Sequence, residues 1–131
     1  MRFSSFLLIS CVFFVGLSAY QLKQNIQQGK KVYELNCQTC HGEDGQGVPS
    51  VFPPLAKADY LMQNRVRAIR QVLYGARGTM VVNGQSYVGE MPAQNALSDT
   101  EIADVLNYVR NSWGNQDATI ITPADVKAQR R

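Results

Sequence analysis

Cys37, Gln38, Thr39, Cys40 and His41 place two thiols and one imidazole within five consecutive positions. The rest of the chain holds one further cysteine, Cys11, and no other histidine. The spacing C-x-x-C-H is the attachment signature for haem c. Two thiols a short turn apart can each add to one vinyl group of a single porphyrin. The histidine after the second thiol is then held under the iron and supplies a nitrogen ligand. A structural zinc site wants about four N or S ligands; beyond Cys11 the chain offers Cys37, Cys40 and His41 and no second C-x-x-C. A thioredoxin-like dithiol wants a βαβ setting, whereas here a helical period precedes the motif and a glycine-rich stretch, Gly42 to Gly47, follows it. A plain disulfide leaves the only histidine without a role.

Any second protein ligand would come from elsewhere, and the chain has four methionines, Met1, Met62, Met80 and Met91. Met1 opens an apolar N-terminal segment. Met62 falls on the apolar face of a helical pattern, where it reads as packing. Met80 precedes a β-like stretch. Met91 precedes Pro92, whose fixed φ biases the residue before it to an extended conformation and limits its wandering. Met91 is the favoured ligand; the alternatives are Met80, or no sixth protein ligand at all, as in a haem enzyme or gas-binding protein with an open iron site. His/Met ligation favours reduced iron and raises the potential relative to two histidines. It also fills both axial positions, which points to electron transfer rather than catalysis.

These residues need elements to position them. Leu22, Ile26, Gly29, Tyr33 and Cys37 share one helical face, although Gly29 costs a helix about 1 kcal/mol relative to alanine. Close approach of another helix would explain it; the alternative is a helix that starts after Gly29. Phe52-Pro53-Pro54-Leu55 reads as a rigid extended turn. A second helix is predicted from Asp59 as N-cap to about Tyr74, with Met62, Val66, Ile69 and Leu73 inside, Arg65, Arg67 and Arg70 on a solvated side, and Gly75 as its stop. Val81 to Val88 looks like a small hairpin around Asn83-Gly84. Ser98-Asp99-Thr100-Glu101 is a capping box that opens a third helix with Ile102, Val105, Leu106, Val109 and Trp113 on its face and Gly114 at its end. Asp99, Glu101 and Asp104 read as charges of that helix's start and exposed face. Thr122-Pro123-Ala124-Asp125 starts a last short helix to about Gln129.

With 131 residues, 45% apolar and 18% charged, the chain is one folded domain plus a removable segment. Residues 1–19 read as an export signal with Arg2 before a short apolar run and small residues at Gly16, Ser18 and Ala19; the alternative is a retained anchor. The domain is then expected over 20–115, with 116–131 as a tail carrying the short helix. A net charge of +3 without a basic block gives no nucleic-acid footprint. No paired carboxylates or Ser/His/Asp set argues for an enzyme.

In this order of features the chain resembles a class I cytochrome c, a small exported bacterial monohaem electron carrier. The resemblance covers roughly Gln24 to Trp113. It rests on a first helix with Gly29 and Tyr33 leading into C-x-x-C-H, a proline loop, a middle helix, Tyr87-x-x-x-Met91-Pro92, and a C-terminal helix with aromatic residues before Trp113-Gly114-Asn115. It implies an all-α cytochrome c fold: three main helices around one covalently attached haem c, with a small hairpin-like loop before the methionine ligand. Cys37 and Cys40 would carry the thioethers, and His41 and Met91 the iron. In the family the ligand methionine commonly sits just before a proline. The first and C-terminal helices cross where Gly29 lets the backbones touch, with Gly29 and Tyr33 on one side and Val105 with Tyr108 on the other. A carbonyl of the proline loop, from Pro53 or Pro54, accepts the second ring nitrogen's proton from His41. A periplasmic location is implied, along with redox partners such as a periplasmic dehydrogenase, a nitrite reductase or a terminal oxidase, and membrane contact only if the N-terminal segment is retained.

Overall fold

The computed structural model describes residues 25–131. The export segment and the Leu22 position of the first helix therefore lie outside the described residues. Helix α1 covers 25–36, followed by the one-turn α2 (Gln38–His41), α3 (Asp59–Gln63) and α4 (Arg65–Tyr74). An antiparallel pair comes next, β1 (Ala76–Val82) and β2 (Gln85–Met91), and then α5 (Asp99–Val109) and α6 (Pro123–Lys127). Among the described residues no helix is long and apolar enough to cross a membrane.

The core is organised by the crossing of α1 over α5. A Cβ built on Gly29 would lie 2.0 Å from the carbonyl oxygen of Asp104 and 2.8 Å from Cβ of Tyr108. That is far inside van der Waals contact, so hydrogen is the only side chain that lets these backbones meet. The helical cost of glycine is offset by this approach. Tyr33, one turn on, is 1% exposed and stacks with Tyr108 and Trp113 at centroid distances of 5.6 and 5.0 Å. Ile102, Val105, Leu106 and Val109 fill the other side of α5 against Ile69 and Leu73 of α4. Asp104 is therefore buried at the crossing rather than on an exposed face, and burial pushes its carboxyl above the ordinary aspartate range.

The middle of the chain departs from a single helix. Asn64 takes an extended conformation (φ −146°, ψ 107°), and its side chain accepts from the Arg67 amide at 2.9 Å. Asparagine is among the best N-caps, so the chain restarts a helix at Arg65 instead of extending the one from Asp59. Restarting resets the phase: Ala68, Ile69 and Leu73 turn inward and Val66 is left 48% exposed. Arg67 is half-buried, with its guanidinium carbon 3.7 Å from the centre of the Tyr60 ring, so it is not part of a solvated face. α5 likewise ends at Val109, before Gly114, because side chains take over its last carbonyls. Asn115 donates to Val109 and Leu55, and Ser112 donates to Tyr108. Arg110 at the cap is buried, paired with Asp117 at 2.8 Å and donating to the carbonyls of Leu61 and Met62. The capping box of Ser98 and Glu101 is present.

The hairpin is longer than the Val81–Val88 segment that the sequence marks. Its strands have seven residues each, in a register that opposes Ala76 to Met91 and Met80 to Tyr87. The turn is Asn83-Gly84, both at positive φ (50° and 77°), as a two-residue hairpin turn requires. Beyond α5, Ile121 and Val126 are almost fully buried, and Asn107 exchanges two hydrogen bonds of 2.8 Å with the Ile121 backbone. The residues after 115 thus complete the core.

Candidate functional site

The thiols are positioned by the end of α1. The amide of Cys37 donates to Tyr33, and the Cys37 carbonyl then accepts from both Cys40 and His41 (3.2 and 3.0 Å). Cys37 is thus the cap of a single new turn, and residues three apart on a turn lie on one face. Cys37, Cys40 and His41 all border one cavity. Burial, and secondarily the neighbouring Cys40, pushes the Cys37 thiol up to about 11, so it stays protonated. Tyr33 anchors the turn from below, its hydroxyl donating to the Gly42 carbonyl at 2.5 Å.

His41 Nδ1 lies 3.0 Å from the carbonyl oxygen of Pro53. A carbonyl can only accept, so Nδ1 carries the proton and Nε2 keeps the lone pair. The structure thus chooses Pro53 over Pro54. Burial lowers the His41 pKa from its ordinary value, and the bond to Pro53 offsets part of that shift. A neutral imidazole with its tautomer fixed by a backbone carbonyl is the form in which histidine binds a metal.

The cavity offers about 1120 Å³ of empty space, open mouth included. Its walls are mostly apolar: Phe52, Pro53 and Leu55 from the loop, Leu61, Ala68 and Val72 from α3 and α4, and Val105, Leu106 and Val109 from α5. The hairpin closes it with Met80, Val82, Tyr87 and Met91. A flat, largely apolar macrocycle fits such walls. Among the described residues no group of three His, Cys, Asp or Glu side chains assembles to hold a bare ion.

Both candidate methionines border this cavity, and the hairpin register separates them. Ala76 faces Met91 and Met80 faces Tyr87, so the two methionines stand on the same face of the sheet with their backbones about four residues apart, roughly 13 Å at the rise of a strand. Met80 packs into a small cluster with Ala58, Val82 and Tyr87. Met91 ends β2 in paired strand rather than in an irregular loop. Its carbonyl would lie 2.3 Å from a Cβ on Gly75, the residue at φ +75° that ends α4. The next contact follows at once, as the Gln94 amide donates to the Val72 carbonyl at 2.8 Å. The end of α4 thus carries the chain around Met91. Sequence reasoning assigned Gly75 only a stop. The crowding at its α-carbon arises from chain sixteen residues away and left no sequence signal.

The description of the cytochrome c family matches residues 26–113. The chain is 42% identical over 91 residues to cytochrome c-552 of Thermus thermophilus, covering 66% of this chain and 69% of that protein. It is 34% identical over 103 residues to the cytochrome c subunit of the quinone alcohol dehydrogenase of Gluconobacter oxydans, covering 78% of this chain and 22% of the subunit. It is also 35% identical over 91 residues to the cbb3-type cytochrome c oxidase subunit FixP of Bradyrhizobium diazoefficiens, covering 66% of this chain and 30% of the subunit. The chain therefore spans about two thirds of the Thermus cytochrome and less than a third of the two enzyme subunits.

Proposed function

The chain belongs to the cytochrome c family, which carries covalent haem c, and from that premise we propose that it is an exported monohaem cytochrome passing single electrons between redox proteins. In this reading Cys37 and Cys40 would form the two thioethers, and His41 and Met91 would hold the iron. The observation that carries it is the cavity, which is bordered both by two thiols and an imidazole from one turn and by a thioether from the end of a strand. When bound, the haem supplies an iron that alternates between two oxidation states.

The protein's part is to hold and shield. The bond from His41 Nδ1 to Pro53 keeps Nε2 as the donor and orients the ring. Apolar walls exclude water and favour the state of lower charge. The position of Met91 against Gly75 supports a sulfur held at a fixed place, and the packing of Met80 with Tyr87 and Val82 supports a purely structural task for the other methionine. With His41 and Met91 both holding the iron, no protein-free position would remain for a substrate, and the protein would be a carrier rather than an enzyme. Residues 1–19 serve as the export signal, 20–115 as the haem domain and 116–131 as its C-terminal extension.

The partners are periplasmic redox enzymes: a dehydrogenase, a nitrite reductase or a terminal oxidase. Relatives that are subunits of a quinone alcohol dehydrogenase and a cbb3-type oxidase support the first and third. Coexpression with a haem c maturation system tests the reading. The expected product keeps a haem stain after denaturation, shows a six-coordinate spectrum in both oxidation states, and does not bind carbon monoxide when reduced. Rapid carbon monoxide binding by the reduced protein would overturn the carrier assignment in favour of an open-site haem protein.

A further inference from the structure

The loop that carries Pro53 closes on itself around one glycine. The Gly47 amide donates to the His41 carbonyl at 2.8 Å. Val48 and Phe52 then exchange two backbone bonds, of 2.9 and 2.8 Å, across a tight turn in which Ser50 has a positive φ of 62°. The next residue is Pro53, whose carbonyl accepts from His41 Nδ1. The chain thus leaves His41 through Gly47 and returns to the same residue through Pro53. Gly47 has φ +66°, and a Cβ built on it would lie 2.2 Å from the carbonyl oxygen of Phe52 and 2.7 Å from that of Pro53.

Two separate reasons therefore reserve this position for glycine, the left-handed φ and the lack of room. The run that Gly47 touches has little freedom of its own. Pro53 and Pro54 each fix their φ, and Pro54 holds Pro53 extended. A displacement at Gly47 is passed on to the Pro53 carbonyl rather than absorbed within the run. The bond to that carbonyl fixes the tautomer of His41 and raises the basicity of its free nitrogen. Resting on the haem reading above, we propose that Gly47 is a positioning residue for His41. Touching the backbone carbonyls of both His41 and Pro53, it sets the reach of the bond from Nδ1, and through it the electron donation from Nε2 and the reduction potential of the iron. A longer bond would make the imidazole a weaker donor, favour the reduced iron and raise the potential.

The experiment compares holoproteins carrying Gly47→Ala, Gly47→Asn, Gly45→Ala and Gly42→Ala. Gly45 has the same backbone twist, φ +65°, and is similarly crowded, but by the Trp113 ring at 2.5 Å. Gly42 stands beside His41 at φ +78°, and an added Cβ there meets nothing nearer than 3.9 Å. Covalent haem is verified first in the unaltered protein by its mass and absorption spectrum. A failure there sinks the proposed function, not this assignment. The readouts are the reduction potential and the exchange rate of the His41 Nδ1 proton by NMR, each beside a thermal melt. Gly47→Ala is expected to raise the potential and to speed that exchange several-fold. Gly45→Ala and Gly42→Ala should lower the melt and leave both readouts at the values of the unaltered protein. Asparagine tolerates the left-handed region, so Gly47→Asn adds the same Cβ with less backbone strain and should shift both readouts as alanine does. A potential unmoved in both Gly47 variants would overturn the proposal. So would shifts of equal size in the Gly42 or Gly45 variant, which would reduce the effect to general strain in the loop. If neither Gly47 variant folds around haem, the unaltered protein decides. Its Gly47 amide and His41 Nδ1 proton should lose their protection from exchange together as denaturant is added, and independent opening of the two would overturn the proposal.

Discussion

The two sides of the cavity are built in opposite ways. On the His41 side, both thiols and the imidazole come from five consecutive residues, set by one helical turn and steadied by one carbonyl at 3.0 Å. On the Met91 side the wall is a hairpin whose position depends on contacts between segments far apart in sequence. Gly75 sits under the Met91 backbone. At the other end Asp59 and Asn83 exchange two hydrogen bonds, the Asp59 amide to Asn83 Oδ1 at 3.0 Å and the Asn83 amide to Asp59 Oδ1 at 2.8 Å. That brace ties the hairpin turn to the start of α3. Local spacing secures one side, and tertiary contact secures the other. The His41 side should therefore tolerate damage elsewhere in the fold, and the Met91 side should report it.

The largest effect should come from erasing the local side. A protein with both Cys37→Ala and Cys40→Ala is expected to lose all haem on a denaturing gel and to lose much of its fold, because in so small a domain the haem is a large share of the apolar core. Haem that stayed attached through denaturation would contradict the thioether assignment. Breaking the other side should be gentler. Met91→Ala is expected to abolish the weak far-red absorption of sulfur on ferric haem, lower the potential and open the iron to added ligands while the haem stays covalently bound. Met80→Ala should keep the absorption and cost packing, about 2–5 kcal/mol if its site were fully buried and less for this half-buried one. The reverse pattern would transfer the ligand to Met80.

The crossing of α1 and α5 supports both sides at once. Gly29→Leu gains up to about 1 kcal/mol in helix propensity but must displace the Asp104 backbone, and overpacking of that kind costs about 1–3 kcal/mol. A net loss in denaturant midpoint is expected, and a gain would sink the contact. Gly75→Ala and Gly78→Ala sharpen the comparison further. Both glycines have positive φ, +75° and +88°, but only Gly75 is crowded, by Met91, while an added Cβ on Gly78 meets nothing within 4 Å. Backbone strain of about 1–3 kcal/mol is common to the two. Weakened far-red absorption is expected for the Gly75 variant alone, and equal behaviour would mean that Gly75 does not position Met91. The smallest effect belongs to the brace. Asn83→Ala removes the exposed bond that Asn83 Oδ1 accepts from the Asp59 amide and leaves the Asn83 amide donating to Asp59; it should cost about 1 kcal/mol in a thermal melt and raise exchange of the hairpin amides while leaving those of α1 unchanged.

The legibility of the sequence follows the same division. C-x-x-C-H, the Ser98 capping box and the Asn83-Gly84 turn were readable because each is a short-range rule: neighbouring residues impose it wherever they sit. Gly29 was readable as an anomaly, a poor helix former in a helical period, although its partner, the Asp104 carbonyl, was not. The break at Asn64 was missed because asparagine is tolerated inside a helix and caps only when its side chain turns back to Arg67. The burial of Asp104 and Arg110 was hidden because charge ordinarily signals a surface, and only packing decides that one charged group faces α1 and another reaches Asp117 and the carbonyls of α3.

By itself the sequence determined the family and its haem, and it named the candidates for the chemistry: two thiols, one imidazole and two methionines as sulfur donors. Those depend on residue type and on separations of a few bonds, which the covalent chain fixes before folding. The tertiary structure decided what no local rule reaches. It selected Pro53 as the partner of His41, set the backbones of Met80 and Met91 about 13 Å apart along one sheet face, placed Gly75 beneath Met91, and brought Arg67 onto the Tyr60 ring. Each of these is a meeting of segments separated by many residues or by a register, and only the packing of α1, α4, α5 and the hairpin about a common cavity fixes such distances.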